Sequence, residues 1–178
     1  GDNMYNSMKA LPQIPYNILT YLATNDEIIW KLLKYNSYDA LSKPDLTFAE
    51  KLDLIWKTGA QADYSIFLTP LVEDVIAEST WILKIYDYYI HAKELYVATP
   101  VYAFDFLYGG QMALVEYENI PVSRGDLFIH RAMAVLNGAY VAGIGKLTFS
   151  DVMSRYNLAR STIGNSKTFT GVQLYMST

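Results

Sequence analysis

Apolar residues recur at helical spacing in the first third of the chain. Between Ile14 and Tyr35 they stand three or four positions apart, and Asn25-Asp26 interrupts them where a second helix would be capped. Thr47-Phe48-Ala49-Glu50 is a Thr-x-x-Glu capping box, and the apolar residues after it continue to Gly59, a typical C-terminal stop. The pattern predicts two short helices over 14–35 and a third over 47–59.

The pattern changes after Gly59 to runs rich in β-branched and aromatic residues. These runs predict strands at Tyr64–Leu68, Thr80–Ile90 and Leu95–Leu107, with Met112–Glu118 as a further candidate. The second and third runs are long for strands and are separated by the short polar link His91-Ala92-Lys93-Glu94. We expect them to form an extended β-hairpin, in which Pro100 is tolerated only at an edge or a bulge.

One further helix is predicted late in the chain, where Ser123-Arg124-Gly125-Asp126 forms a Ser-x-x-Asp capping pattern. Apolar residues at helical spacing follow it and end at Asn137-Gly138. The Arg-Gly-Asp tripeptide of adhesive proteins is displayed on an exposed turn, whereas here it falls in a predicted first helical turn. We therefore interpret it as a helix start, followed by strands at Lys146–Met153 and Lys167–Met176.

This order of elements predicts an α+β fold, with N-terminal helices followed by an antiparallel sheet that has a long β-hairpin and one packed helix. We expect a single domain over 1–178, made of an N-terminal helical segment (1–59) and a β-rich core (60–178). The long strands are apolar on both faces, so both faces should be covered. The chain's own helices would cover one face, and either the chain itself or neighbouring subunits would cover the other.

Composition excludes several classes of function. The chain has no cysteine and two histidines, which rules out disulfides and makes a zinc cluster improbable. Its net charge of −4 comes without a basic cluster, which disfavours tight binding of nucleic acid. Charge-free runs such as 132–145 are too short to span a bilayer, and the first residues do not resemble a secretory signal.

The residues that carry chemistry form no convincing site. The serines lack a nucleophile motif, and the two histidines, His91 and His130, have no triad context. Glu73-Asp74 and Glu78 form an acidic cluster without the ligand spacing of a calcium loop, so a solvated loop is expected there. The glycine pairs lack the Lys-Ser/Thr of a phosphate loop. We expect no enzyme activity, no cofactor and no metal.

Several segments resemble the neck and tail-completion proteins of tailed bacteriophages, of the tail-terminator (head–tail connector) kind. The resemblance lies in the stretch PYNILTYLATNDEIIWKLLKYN at 15–36, the loop ALSKPDLTFAEK at 40–51, the helix end AMAVLNG at 132–138, GIGKLTF at 143–149 and TGVQLYM at 170–176. It spans most of the chain. The region 98–117 departs from it in being unusually apolar and rich in tyrosine.

The resemblance implies a structural virion protein that forms a ring of six or twelve copies in the neck or tail. Such a ring joins head to tail, contacts adjacent neck, portal-side or tail proteins, and is assembled in the host bacterial cytoplasm. DNA passes through it without specific binding, and an acidic channel would repel phosphates. Candidate channel or hairpin-tip residues are Asp87, Lys93 and Glu94. Candidate subunit-interface residues are Trp81, Tyr86, Tyr88, Tyr89, Tyr96 and Tyr102.

Two other classes stay open from the sequence. A monomeric interaction adaptor would use an exposed sheet edge to bind a peptide or protein. An enzyme would need a pocket with converging titratable groups.

Overall fold

The structure, a computed structural model, describes residues 10–70, 81–94, 97–142, 145–148, 158–159 and 169–177. The helices are α1 (Ile14–Asn25), α2 (Ile28–Lys34), α3 (Phe48–Leu52) and α4 (Arg124–Leu136). The strands are β1 (Ile66–Phe67), β2 (Trp81–Glu94), β3 (Val97–Gly109), β4 (Leu114–Tyr117), β5 (Ile120–Ser123), β6 (Tyr140–Val141), β7 (Gly145–Lys146), β8 (Leu158–Ala159) and β9 (Phe169–Ser177). Single 3₁₀ turns lie at Leu11–Gln13, Ala40–Ser42, Gln61–Asp63 and Gly110–Met112.

The predicted α+β fold is confirmed. Five strands form the main sheet in the order β1-β2-β3-β9-β8, in which β1 is parallel to β2 and every other pair is antiparallel. Two small antiparallel hairpins, β4-β5 and β6-β7, lie outside it. Within the described residues, none of the helices is both long enough and apolar enough to cross a membrane.

The first two helices form as the pattern predicts, but α3 is much shorter than expected. The capping box forms, since the backbone N–H of Glu50 donates to Thr47 Oγ1 at 3.2 Å. The helix nevertheless ends at Leu52 rather than near Gly59. The chain leaves it to join the sheet edge, where the Trp56 N–H donates to the Ile66 carbonyl at 2.8 Å. The apolar run after the cap therefore serves strand pairing instead of a helical face.

The long hairpin is confirmed, but its predicted link is wrong. Residues 91–94 belong to β2, which pairs as far as Glu94↔Val97, and the two residues between the strands, 95–96, lie outside the described residues. A polar composition does not prevent pairing, which depends on backbone hydrogen bonds. Register shifts occur between Asp87 and Tyr89 and between Ala92 and Glu94. Pro100 pairs with Ile90 of β2 but lies beyond the end of β9. The backbone N–H that proline lacks is therefore not needed for pairing with β9.

The predicted last strand is confirmed as β9, whereas the strand predicted at Lys146–Met153 is described only in its first three residues. The strand expected at Lys146–Met153 is a two-residue strand, after which Thr148 bridges to Ser177. Residues 149–153 lie outside the described residues. β8 and the second half of the β4-β5 hairpin were not predicted. The turn of that hairpin places Glu118 and Asn119 at φ of 53° and 68°, a conformation typical of two-residue hairpin turns.

The helices cover one face of the sheet, and this inner face contains the main core. Helix α4 lies on β3 and β9, and Phe128 stacks on Phe106 with ring centroids 4.7 Å apart. The inner face of the strands is apolar, and the helices add fully buried side chains such as Trp30. At roughly 25 cal/mol per Å² of apolar surface, such burial is the main source of stability.

The opposite, outer face of the sheet is also buried near its centre. Two small clusters lie there: Phe67, Ile82 and Leu107 against Trp56 and Tyr64, and Val101, Ala103 and Tyr175 against Tyr86. As a result β3 is buried on both faces from 101 to 108. Of the two alternatives left open by the sequence, burial within one chain accounts for this central part, without a neighbouring subunit.

The Arg-Gly-Asp tripeptide begins α4, as predicted. Ser123 is the N-cap, and its Oγ accepts from the backbone N–H of Asp126 at 3.3 Å. Arg124 and Gly125 are the first two residues of the helix, and both are buried. A Cβ atom at Gly125 would lie 2.7 Å from Tyr108 Oη and 2.9 Å from Val172 Cγ1. The tripeptide is thus a packing element, and its arginine is not available to an adhesion receptor.

Gly125→Ala should destabilise the chain, because an added methyl group forces α4 away from β3 and β9. Overpacking of this kind costs about 1–3 kcal/mol. Urea unfolding of the variant measures the loss. Combining it with Tyr108→Phe, which removes the nearest atom, should recover part of the loss. An unchanged free energy of unfolding in Gly125→Ala would contradict the packing described here.

Candidate functional site

Arg124 is the best-buried charged residue among those described, with a relative exposure of 0%. Its Nε donates to the Met112 carbonyl at 3.0 Å, and Nη1 donates to the Leu32 carbonyl at 2.9 Å. Longer contacts reach the carbonyls of Tyr35 at 3.4 Å and Ser37 at 3.3 Å. The guanidinium therefore joins the end of α2 to the segment that follows β3.

The neighbours of Arg124 explain how the charge is tolerated. The guanidinium carbon lies 5.9 Å from the ring centroid of Trp81, and no carboxylate forms an ion pair with it among the described residues. Desolvation by burial lowers the pKa of Arg124 to about 10. The side chain stays charged at neutral pH, and its planar fork serves carbonyls on two separate segments.

A second polar connection fixes the other end of the helical layer. Asp26 is buried between α1 and α2, where Oδ2 accepts from the Ile29 N–H at 2.7 Å and caps α2. Its other oxygen accepts from Arg131 of α4, at 2.9 Å from Nε. Buried Lys51 donates to the Ala23 carbonyl at 2.8 Å and pairs with Glu27. The two ends of α2 are thus anchored to the start of α4 and to a residue in its second half.

The long β2-β3 hairpin extends beyond the other strands of the main sheet. Strand β9 pairs with β3 only from Val101 onward, and β1 pairs with β2 only at Leu83 and Lys84. The last four pairs of the hairpin, from Ile90↔Pro100 to Glu94↔Val97, have no third strand among the described residues. We call residues 90–94 and 97–100 the ribbon. Tyr88, which lies outside the register, forms a bulge at its base.

Tyr88 and Ile90 are the exposed apolar side chains at this position, at 46% and 42% relative exposure. Tyr88 contacts Tyr175 of β9, with ring centroids 4.7 Å apart. Aromatic side chains that are exposed next to unpaired strand edges are common at protein interfaces. The base of the ribbon is therefore the best candidate for an interaction site on this part of the chain.

The structure distributes the predicted interface residues over different environments. Tyr88 is exposed, and Tyr86 is partly buried on the outer face. Trp81 is partly buried and donates its indole N–H to the Leu33 carbonyl at 2.6 Å. Tyr102 is fully buried in the inner core. Tyr89 pairs with Val101 through its backbone, and Tyr96 lies outside the described residues. Whether these residues contact another subunit stays a prediction.

The predicted channel or tip residues all belong to β2. Asp87 is exposed beside the bulge, and partial desolvation raises its pKa. Lys93 is the extra residue of the second register shift, and Glu94 pairs with Val97. Glu94 is thus the last residue of β2 that pairs with β3. Their place in a channel stays a prediction.

A polar row that the sequence analysis missed crosses the outer face. Lys84, Asp105 and Gln173 are direct cross-strand neighbours on β2, β3 and β9. Asp105 is only 3% exposed and accepts from Tyr86 Oη and Gln173 Nε2, each at 2.7 Å, while Lys84 Nζ lies 4.0 Å away. Burial and the bond to Asp105 raise the pKa of Tyr86.

Tyr102 has a raised pKa for a related reason. Its ring lies in the inner core, so burial disfavours the phenolate, and the nearby charge of Asp87 adds to this effect. Both tyrosines therefore stay protonated at a pH where an exposed tyrosine ionises. The Tyr86 hydroxyl donates to Asp105, whereas the buried Tyr102 hydroxyl has no hydrogen-bond partner among the residues that the structure describes.

In the described part of the chain, no cluster of three or more side chains that could hold a metal ion occurs. His130 is exposed on α4, and the acidic cluster at Glu73-Asp74 and Glu78 lies outside the described residues. A surface pocket of about 230 Å³ lies beside the end of α2. Its lining includes apolar Leu33, Trp81 and Ile82, with Lys34 and Asp63 as charged members.

A protein-family model described as YomW matches residues 26–178, well over half of the chain. No curated protein and no solved structure gives a significant match.

Replacing Arg124 should strongly destabilise the fold. Arg124→Met removes the donors of at least two buried carbonyls, and each unsatisfied group costs about 1–3 kcal/mol. Arg124→Lys should recover little, because an ammonium lacks the fork that reaches both segments. Urea unfolding measures the losses, with His130→Ala on the exposed side of α4 as a control. A loss in Arg124→Met no larger than in the control would contradict the role assigned to Arg124.

The free energy of unfolding should fall as the pH rises above about 10. Tyr86 and Tyr102 hold their protons more tightly in the folded chain than in the unfolded chain. Their contribution is complete below the ordinary tyrosine pKa and is lost as the pH rises through the higher folded values. Unfolding at about pH 9 and about pH 11 measures the fall, which should be smaller in Tyr86→Phe. An equal fall in this variant would refute the role of Tyr86.

Proposed function

Because this chain belongs to the phage-derived YomW family, we propose that it is a phage protein and, more specifically, a structural protein of a tailed-phage particle. Copies of the chain form a ring of six or twelve in the neck or tail, as a tail terminator or head–tail connector, and DNA passes through the ring. The protein has no catalytic role in this proposal.

The observation that carries the proposal is the ribbon. Four hairpin pairs continue past the third strand, which leaves backbone donors and acceptors on both edges without a strand partner among the described residues. An isolated two-stranded hairpin is marginally stable in water, so contacts with another chain would stabilise it. Exposed Tyr88 and Ile90 at the ribbon base supply apolar surface for such contacts.

The charge of the chain supports a channel through which DNA moves. The net charge is −4, and Asp87 is exposed where the ribbon leaves the sheet. A surface of this sign repels phosphates, whereas a basic lining would retain DNA in a salt-dependent manner. Ribbons that line the ring would present Asp87, Lys93 and Glu94 toward the passing duplex.

The same ribbon also favours a second candidate, a monomeric adaptor whose free strand edge binds a segment of another protein. The two candidates differ in what covers the edge: another copy in the ring, and an unrelated chain in the adaptor. Light scattering after size exclusion separates them. The adaptor would be favoured if the chain stayed a monomer at every concentration and bound other proteins of the phage particle.

The ring predicts a mass of six or twelve chains that depends on the ribbon base. Tyr88→Asp combined with Ile90→Asp should convert this species to smaller ones, because two charges would be buried at the interface. The exposed Tyr38→Asp variant is the matched control and should assemble normally. Circular dichroism checks that each variant is folded. A ring that persists in the double variant would remove the ribbon base from the interface.

A further inference from the structure

Two features lie at opposite ends of the α2-α4 pair. Arg124, at the start of α4, binds the Leu32 carbonyl near the end of α2, and Arg131, further along α4, binds Asp26 just before α2. The two helices are therefore antiparallel. The pocket beside Leu33 lies at one end, and Tyr140, which follows the C-terminus of α4, lies at the other.

The pocket has a mixed lining, in which apolar side chains such as Leu33 and Ile82 stand beside the charged Lys34 and Asp63. Ser65 and Trp81 belong to the lining, and their polar side-chain atoms both donate to the Leu33 carbonyl, at 3.1 Å from Ser65 Oγ and 2.6 Å from Trp81 Nε1. These bonds satisfy the polar atoms of the wall. Lys34 and Asp63, which also line the pocket, are exposed and contribute one positive and one negative charge. A volume of about 230 Å³ is of the size that holds one large side chain.

Tyr140 is the most exposed large apolar side chain among those described, at 75%. Its neighbour Val141 is buried, and hydrogen bonds between Gly138 and Leu147 (2.7 Å) and between Asn17 and Ala142 (3.0 Å) hold the β6-β7 hairpin on the helices. Tyr140 is the cross-strand partner of Lys146, so an aromatic ring and a cation share one side of the hairpin. The backbone that carries the ring is therefore fixed, which lowers the entropy lost on binding.

We propose that Tyr140 of one copy inserts into the pocket beside Leu33 of the next copy, with Lys146 facing Asp63. The pocket volume suits one aromatic ring, and Lys146 beside the ring is opposite in charge to Asp63 of the pocket lining, whereas Lys34 of the lining has the same sign. Since knob and pocket lie at opposite ends of one chain, the contact is head-to-tail, and repetition of it gives a closed ring or an open filament. This inference rests on the proposed function, for which it supplies a second, helix-side contact between copies.

Disulfide cross-linking tests the contact directly, because the chain contains no cysteine. A chain that carries both Tyr140→Cys and Ala62→Cys, the latter in the pocket lining, should form a ladder of three or more linked copies on oxidation. Neither single variant can link more than two copies. The control pair, Tyr140→Cys with the exposed Tyr38→Cys, should give no ladder.

Equilibrium sedimentation then tests the energetics. Tyr140→Ser should weaken association at least tenfold, as is usual for an aromatic anchor (~10-fold or more), and Tyr38→Ser should not. Asp63→Lys should also weaken association, and adding Lys146→Asp should restore it, a rescue that a merely structural role would not produce. Each variant is checked for native thermal unfolding.

The outcomes separate this inference from the proposed function. If the unmodified chain assembles but Tyr140→Ser assembles equally well and no ladder forms, the knob-and-pocket contact is overturned and the ring stands. If the unmodified chain stays monomeric at every concentration and no ladder forms, both are overturned. A ladder together with the Asp63 and Lys146 rescue supports the contact.

Discussion

The fold depends on a buried arginine whose ligands are backbone carbonyls. A charge inside a protein is costly unless hydrogen bonds replace its hydration, and the guanidinium of Arg124 meets this condition only when the end of α2 and the segment after β3 are both in place. The helical layer and the sheet therefore cannot move independently without exposing the charge or leaving carbonyls unsatisfied. The Asp26 and Arg131 pair repeats this constraint at the far end of α2.

A body fixed in this way can carry elements that its own core does not stabilise. The ribbon continues the two central strands past β9, and the β6-β7 hairpin presents Tyr140 beyond the end of α4. Both depend on anchors at their bases: the bulge and the Tyr88 to Tyr175 contact for the ribbon, and the backbone bonds from Gly138 and Leu147 for the hairpin. This division between a rigid body and projecting elements is the physical basis for proposing assembly rather than catalysis.

Periodicity predicted the elements that local sequence determines. Helices α1, α2 and α4 carry apolar stripes with caps at Asp26 and Ser123, and the long strands are rich in aromatic and β-branched residues, so these parts could be predicted. The end of α3 could not be predicted, because the apolar residues after Asp53 would suit either a longer helix or an extended segment. Pairing between Ile55 and Ile66, which are distant in sequence, decides in favour of the extended segment. The hairpin link was placed wrongly because polarity was taken as a turn signal, and the turn at Glu118-Asn119 lacks the usual glycine.

The candidate site was harder to predict than the fold. The Ser-x-x-Asp pattern gave the start of α4, but which carbonyls Arg124 binds depends on segments about 90 residues away in sequence, at Leu32 to Ser37. The polar row through Asp105 depends on the strand register, which the sequence pattern does not give. The high tyrosine content did not indicate which tyrosines are buried, like Tyr102, and which are exposed, like Tyr88. Alternation along β2 would have distinguished faces only if the bulge at Tyr88 had been known.

The most direct test of the central claim is electron microscopy of the purified chain, alone and mixed with lysates of cells that produce phage particles. The account predicts annular class averages with six-fold or twelve-fold symmetry and an open centre, and the same ring at the junction of head and tail in particles. Compact particles without a central opening, together with absence of the chain from purified particles, would contradict it.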